Sequence, residues 1–500
     1  MKKEKGQALP LAIIVLTIGA LLIAPFLGHA SSSMIGSQTY GSAIDYRTAC
    51  DAGIEHAIWR LQYSGLANQI PDIGDQITYQ LAEAINGITP TIIITTNSSS
   101  GGAGSGEEGI IDDYKFEPSV TYEAKITKIA DQVYAMVTNG PSNKGILYTV
   151  AIADDGIITH SIISSLQFDS TCFSPDMIHV SGTVYAIAYR GSSNRGYIKT
   201  VNITDEGDIS HSVIDTLRFD NSACYEPSIT LVSGDVYAIV YRGYYNRGYL
   251  KTVTIAANGD IGSSEIDSMI FDIYAGYEPK IIQTSGSIFA IAYRGQSNLG
   301  MLATVNIAAN GDIGSSIISS LVTDTALGLD PDIIKISDTI YAVIFTCIFN
   351  WPDLKTVNIA EDGTITQTII DAVEYTGFSL YQPHIIHVSD NIFLFCGRTD
   401  SNKGMIKKVE IAPDGTITNG DVHTFLFTCS GFYPDIVLVS SDVAAVTRWI
   451  TGNSGHVTTI GLTAMDWTVY HVFASAENTS IEAYIWISDN STYILSWRLE

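Results

Sequence analysis

The chain has 500 residues, 46% of them apolar and only 16% charged, so it can bury a large core. Its 52 acidic side chains against 26 basic ones give a formal net charge of −26, which repels phosphate backbones and excludes nucleic acid as a main partner. Six cysteines are too few for a disulfide framework, and no CxxC or Cys/His spacing marks a metal site.

The first element in chain order is apolar. Lys2, Lys3 and Lys5 precede about twenty uncharged residues from Ala8 to Leu27, the length needed to cross a hydrocarbon core, with the N-terminus on the cytoplasmic side. Three readings compete: a secretory signal peptide with Gly28-His29-Ala30 at its cleavage site, a plain single-pass anchor, and a pilin-type leader. The pattern favours the third. Lys5-Gly6-Gln7-Ala8-Leu9 resembles a prepilin peptidase site, and Tyr46, Ala49 or Cys50, Gly53, Ala57 and Leu61 continue at helical spacing beyond the membrane. The stretch Ala43–Leu61 (AIDYRTACDAGIEHAIWRL) resembles the region that follows the membrane helix in minor pilins of the PilX type. The resemblance covers residues 5–62. It implies cleavage between Gly6 and Gln7 and packing of the helix against other pilin subunits. It departs at Leu11, where major pilins carry Glu. The expected organisation is a leader over 1–6, an assembly helix over 7–62 with its membrane contact over 8–29, a linker over 63–84, and a repeat domain over 85–500.

From residue 116 the chain repeats. An aromatic followed by small apolar residues recurs at Tyr134, Tyr185, Tyr237, Phe289, Tyr341 and Phe393, in steps of 51 and then 52 residues, and Ala444 and Tyr493 continue the series. A second anchor is proline, at 118, 175, 227, 279, 331, 383 and 434. Within one period, PDMIHVSG, TVYAIAYRG, YIKTVNI and DISHSVIDTLRFD read as four strands joined by turns. Such a sheet exposes apolar faces on both sides, and radial stacking of copies covers them. The fold class expected is therefore mainly β: an eight-bladed β-propeller, with seven blades as the alternative, carrying a long N-terminal α-helix with one transmembrane segment. In the eight-bladed version, Thr89–Asn97 and Gly109–Phe116 supply the third and fourth strands of a last blade begun by the C-terminus. In the seven-bladed version, residues 78–97 belong to a small pilin head.

Candidate ligand-binding residues lie in the loop after each second strand: Tyr189, Arg190 and Asn194; Tyr241, Arg242 and Asn246; Tyr293, Arg294 and Asn298. Arginine offers planar donors and tyrosine a stacking face. The structural alternative gives glycine the turn, asparagine a left-handed position, and arginine a salt bridge to the acid before the next proline, as in Glu226-Pro227 and Glu278-Pro279. No cofactor is expected, with calcium the one candidate. The hairpin turns bring together two or three oxygens, and Asp205, Asp208, Asp260 and Asp312 are the positions to examine. No GxSxG, HExxH or nucleophile–base motif is present. The functional expectation is a cell-surface, pilin-like adhesion protein whose propeller binds an extracellular glycan or protein. The alternatives are a tethered enzyme acting on extracellular glycans and a purely structural envelope protein.

Overall fold

The computed structural model describes residues 39–66, 69–70, 75–97, 110–118, 122–375, 379–400, 403–418, 424–430, 432–450, 454–462, 468–476, 479–488 and 491–499. They form two compact units. One comprises Met1–Ser98 with Thr468–Glu500, the other Ser99–Trp467.

In the first unit, helix α1 (Thr39–Tyr63) covers a five-stranded antiparallel sheet of Gln76–Gln80, Thr91–Asn97, Thr468–Ala476, Thr479–Ser488 and Ser491–Leu499, in that spatial order. Cys50, Ile54, Ala57 and Leu61 recur every three or four residues and form one buried stripe. That stripe packs on Ile92, Ile94, Val472, Ala474, Ile481 and Ala483. A Cβ at Gly53 would stand 3.0 Å from Ile92, so glycine lets helix and sheet approach. The helix ends where Gly65 turns left-handed (φ 69°) and the Leu66 amide bonds back to the Arg60 carbonyl.

Two expectations are corrected here. Among the described residues, the long N-terminal transmembrane helix is not found. The described helix is 25 residues long, its apolar stripe is used against its own sheet, and no described helix is long and apolar enough to cross a membrane. The Gly6–Gln7 site and the apolar run 8–29 lie outside the described residues. The propeller has seven blades, not eight. Thr89–Asn97 and the C-terminal strands do lie side by side, but in the sheet under α1.

The second unit holds seven four-stranded antiparallel sheets. Blades 1 to 6 run in chain order over 122–169, 173–220, 225–272, 277–324, 329–374 and 381–430. Blade 7 takes three strands from 432–461, and its outermost strand is Ile110–Glu117 from the start of the domain. The ring is thus closed by pairing the two ends of the domain within one sheet. The second-strand aromatics Tyr134, Tyr185, Tyr237, Phe289, Tyr341 and Phe393 are all buried. Each inter-blade core draws on two neighbours, as where Ala238, Val240 and Leu250 of blade 3 meet Ile281, Phe289 and Ile291 of blade 4. At roughly 1.5–3 kcal/mol per buried large apolar side chain, these interfaces dominate the stability.

A polar bond recurs at six of the seven blade interfaces. Thr149, Thr200, Thr252, Thr304 and Thr356 each donate, at 2.6 Å, to the carbonyl of the hairpin glycine in the next blade. Thr459 of blade 7 does the same to Gly156 of blade 1 across the seam, whereas in blade 6 Lys408 stands in the threonine position.

Candidate ligand-binding site at the propeller axis

Each innermost strand begins with an aromatic or leucine, a polar residue and, in blades 2 to 7, proline. In blade 1, Ala124 stands in the proline position, and Pro118 falls outside the repeat. Pairing to the second strand skips these two residues, for example from Tyr277↔Arg294 to Lys280↔Ala292, so they form a bulge. The polar residue is left-handed: Glu123 φ 46°, Ser174 47°, Glu226 49°, Glu278 50°, Asp330 49° and Gln382 53°. A residue before proline normally stays extended, and a left-handed non-glycine costs about 1–2 kcal/mol.

The side chains offset that strain. Glu123 accepts the Ser174 amide at 2.5 Å, Glu226 that of Glu278 at 3.4 Å, Glu278 that of Asp330 at 3.1 Å, and Asp330 that of Gln382 at 3.3 Å. The bulges therefore turn these polar groups from blade to blade around an axial recess of about 160 Å³, which is partly open to solvent. The residues after the proline position form a second tier. Lys125 Nζ meets Asp435 Oδ1 at 3.0 Å, and His384 Nδ1 meets Asp332 Oδ2 at 2.7 Å. Burial would raise Asp332, yet His384 brings it down to about 2. Burial would likewise lower Lys125, yet Asp435 and Asp176 hold it above its ordinary value.

The sequence-derived loop residues lie just outside this ring. Tyr189, Tyr241 and Tyr293 are buried, and their hydroxyls donate to Asp169, Asp220 and Asp272. Asn194, Asn246 and Asn298 take left-handed turns (φ 60–64°), and their carbonyls accept the amides of Cys224, Gly276 and Gly328. Arg242 grips Glu226 with two bonds of 2.7 and 3.0 Å, and Arg294 grips Glu278 at 2.6 and 3.0 Å. The partner is the acid before the same blade's proline rather than the next one. The Arg242 guanidinium also lies 4.3 Å from the Tyr225 ring centre and 4.8 Å from that of Tyr277. Arg190 stacks on Phe173 and Tyr225 and donates to Asn194.

Asp208, Asp260 and Asp312 sit on exposed hairpins. Asp260 and Asp312 accept bonds from Asn258 and Asn310 in the same turn, and the Asp208 amide bonds to Thr204; Asp205 is on the same hairpin as Asp208. Among the described residues, no group of three or more His, Cys, Asp or Glu side chains is arranged to hold a metal.

The axial ring departs from its own repeat. The position of Arg190, Arg242, Arg294 and Arg398 is Asn139 in blade 1 and Thr346 in blade 5. Glu123 and Asp330 therefore lack the same-blade arginine that neutralises Glu226 and Glu278. Burial and then the neighbouring Glu278 push the Asp330 carboxyl up to about 7, and burial pushes Glu123 up as well. This pair escaped sequence reasoning. The signal was an acid column without a matching arginine, legible only once the two columns are read blade by blade.

No protein-family model matches the sequence, and no curated protein matches it. Solved structures do resemble it. A periplasmic gluconolactonase from Pseudomonas aeruginosa is 12% identical with a TM-score of 0.46, over 61% of this chain and 85% of that one. A putative 6-phosphogluconolactonase from Bacteroides fragilis is 15% identical with a TM-score of 0.46, over 65% and 94%. Another from Bacteroides uniformis is 10% identical with a TM-score of 0.43, over 65% and 94%. The likeness is one of fold, and no activity is carried over from it.

Proposed function

We propose that this chain is a surface-displayed, pilin-like protein whose propeller is a binding head for an extracellular glycan or protein, engaged at the axial recess. The observation that carries the reading is the break in the repeat at Glu123 and Asp330. A carboxyl left without its arginine in a partly buried ring is a costly arrangement, and a ligand that brings donors or positive charge offsets the cost. The pilin-like part is supported by the Lys5-Gly6-Gln7 sequence and by α1 with residues 78–97 lying in a unit separate from the blades. Two measurements test the proposal on the full chain. Mass spectrometry of the mature protein should place the N-terminus at Gln7, and a start at Ser31 would remove the pilin-like part. A glycan and surface-protein binding screen should yield a ligand whose affinity falls at least about tenfold in Glu123→Gln/Asp330→Asn. Unchanged affinity would remove the recess as the site.

A second reading is an enzyme acting on extracellular glycans, favoured by one observation. A carboxyl near 7 beside Glu278, which is itself bonded to Arg294, is suited to general acid–base work. Glycoside turnover that disappears in Asp330→Asn would favour this reading over simple binding.

A further inference from the structure

The loop after each second strand adopts one backbone in five blades. Its middle residue is left-handed at Ser142 (φ 58°), Ser193 (58°), Tyr245 (60°), Ser297 (60°) and Phe349 (64°). Serine serves three of them, so the turn does not require an aromatic. A bulky left-handed residue is the unfavourable choice there. Yet blade 3 places Tyr245 and blade 5 Phe349 at this tip, 69% and 68% exposed.

The turn that leaves blade 3 repeats the contrast. Asp272 Oδ1 accepts the Tyr274 amide at 2.7 Å, as Asp220 accepts that of Ser222 and Asp324 that of Ala326. The cap works with Ser or Ala, but here the turn carries Ile273 and Tyr274, 56% and 64% exposed. It joins the blade 3 loop directly, through the Gly276 amide on the Asn246 carbonyl at 2.8 Å. Tyr225↔Arg242, Arg242↔Gly248 and Gly248↔Asp272 pair at one end of the blade, so these tips share the face of the axial recess.

We propose that the tips of blades 3 and 5 form an aromatic platform for a neutral polysaccharide. The proposal rests on the reading of the propeller as a binding head, but not on the recess. The rings stand on separate loops, with the polar Gln296-Ser297 tip of blade 4 between them and Asn246 and Arg247 alongside. An interrupted row of rings among hydrogen-bonding groups matches sugar rings, which offer apolar C–H faces bounded by hydroxyls, better than it matches a continuous apolar protein surface. The net charge of −26 disfavours an anionic polymer.

Native affinity electrophoresis of the full chain, in gels containing soluble starch, dextran or hydroxyethylcellulose, tests this. Wild type should be retarded by at least one of the three. Tyr245→Ser/Phe349→Ser should lose retardation by about tenfold or more in affinity. Its thermal unfolding should stay at the wild-type temperature, because serine already occupies this backbone in three blades. No retardation of wild type would overturn the proposal, as would equal retardation of the variant. Binding lost only in Glu123→Gln/Asp330→Asn would overturn the platform and leave the recess standing. Self-association of wild type that the tip variant abolishes would make the patch a protein interface and overturn it as well.

Discussion

Replacing Asp113 with alanine should loosen the ring at its seam. Asp113 lies on the outermost strand of blade 7, the one element of that blade contributed from upstream in the chain. It accepts Arg448 Nη2 at 2.6 Å, His456 Nδ1 at 2.8 Å and Thr458 Oγ1 at 2.5 Å, all from the second and third strands of the blade. Arg448 is only 2% exposed, so the variant leaves a buried guanidinium without this counter-charge. Breaking a buried pair costs about 3–5 kcal/mol, and because the Asp113 side chain is 32% exposed the lower end applies, about 3 kcal/mol. The loss should be local. Hydrogen exchange should speed up across 110–117 and 454–461 well before the inner strands of blades 3 and 4 respond, with denaturant unfolding giving the total. The pH dependence supplies a sign. Burial would raise Asp113, but His456 and Arg448 hold it far below the usual carboxylate range. Its stabilisation is therefore present above the unfolded value of about 3.9 and fades as pH falls below it, so wild type and variant should converge in acid. A cost below about 1 kcal/mol, or protection lost evenly around the ring, would refute the assignment of the seam.

Three further perturbations follow from the repeat. Asp330 is raised in the folded state to about 7, so the unfolded chain loses its proton first; stability should fall as pH rises from about 4 to about 7 and level off above, and Asp330→Asn should remove that slope in urea titrations. Arg242→Lys keeps the charge but loses the two-bond grip on Glu226 and the stacking between Tyr225 and Tyr277, a cost of about 1–2 kcal/mol in denaturant unfolding. Thr252→Val should cost about 1 kcal/mol by the same measurement, because it removes the hydroxyl that reaches the Gly311 carbonyl across the blade 3–4 interface.

Much of this architecture can be read from residue spacing. The aromatic at every fifty-second position marks the second strand of blades 1 to 6, and the four-strand period follows from the turns between. The blade number was obscured by the C-terminus. Tyr493 continues the aromatic series, but at a step of 49, and no proline follows Pro434 to open an eighth copy. Its strand is the last of the sheet under α1, where alternation of apolar residues looks the same as in a blade. Pro118 obscured the start, because Ala124 holds the proline position in blade 1. The recess was hidden for another reason. Glu226 and Glu278 read as arginine partners, which they are, and the same column in blades 1 and 5 holds Glu123 and Asp330 with no arginine opposite. Burial at a bulge, which turns a strand residue toward the axis, has no signature in hydrophobic periodicity.

A repeated blade carries its own control experiment. Blades 3 and 4 show that a carboxylate at the bulge can be neutralised by an arginine on the adjacent strand, stacked on tyrosine rings. Blade 5 has the same bulge, the same left-handed angle and the same amide bond to the next blade, but Thr346 in place of the arginine donates its hydroxyl to the Leu380 carbonyl instead. Folding alone is served by the arginine version, which blades 3 and 4 show to be compatible with the backbone. The carboxyl of Asp330, without a same-blade arginine, thus has no structural task that its paired relatives lack, and it opens onto the recess at the point where Gln382 replaces the acid of blades 3 to 5. A binding group must be left underused by the fold in order to be available to a ligand, and in this ring Asp330 and Glu123 are the carboxyls that meet that condition.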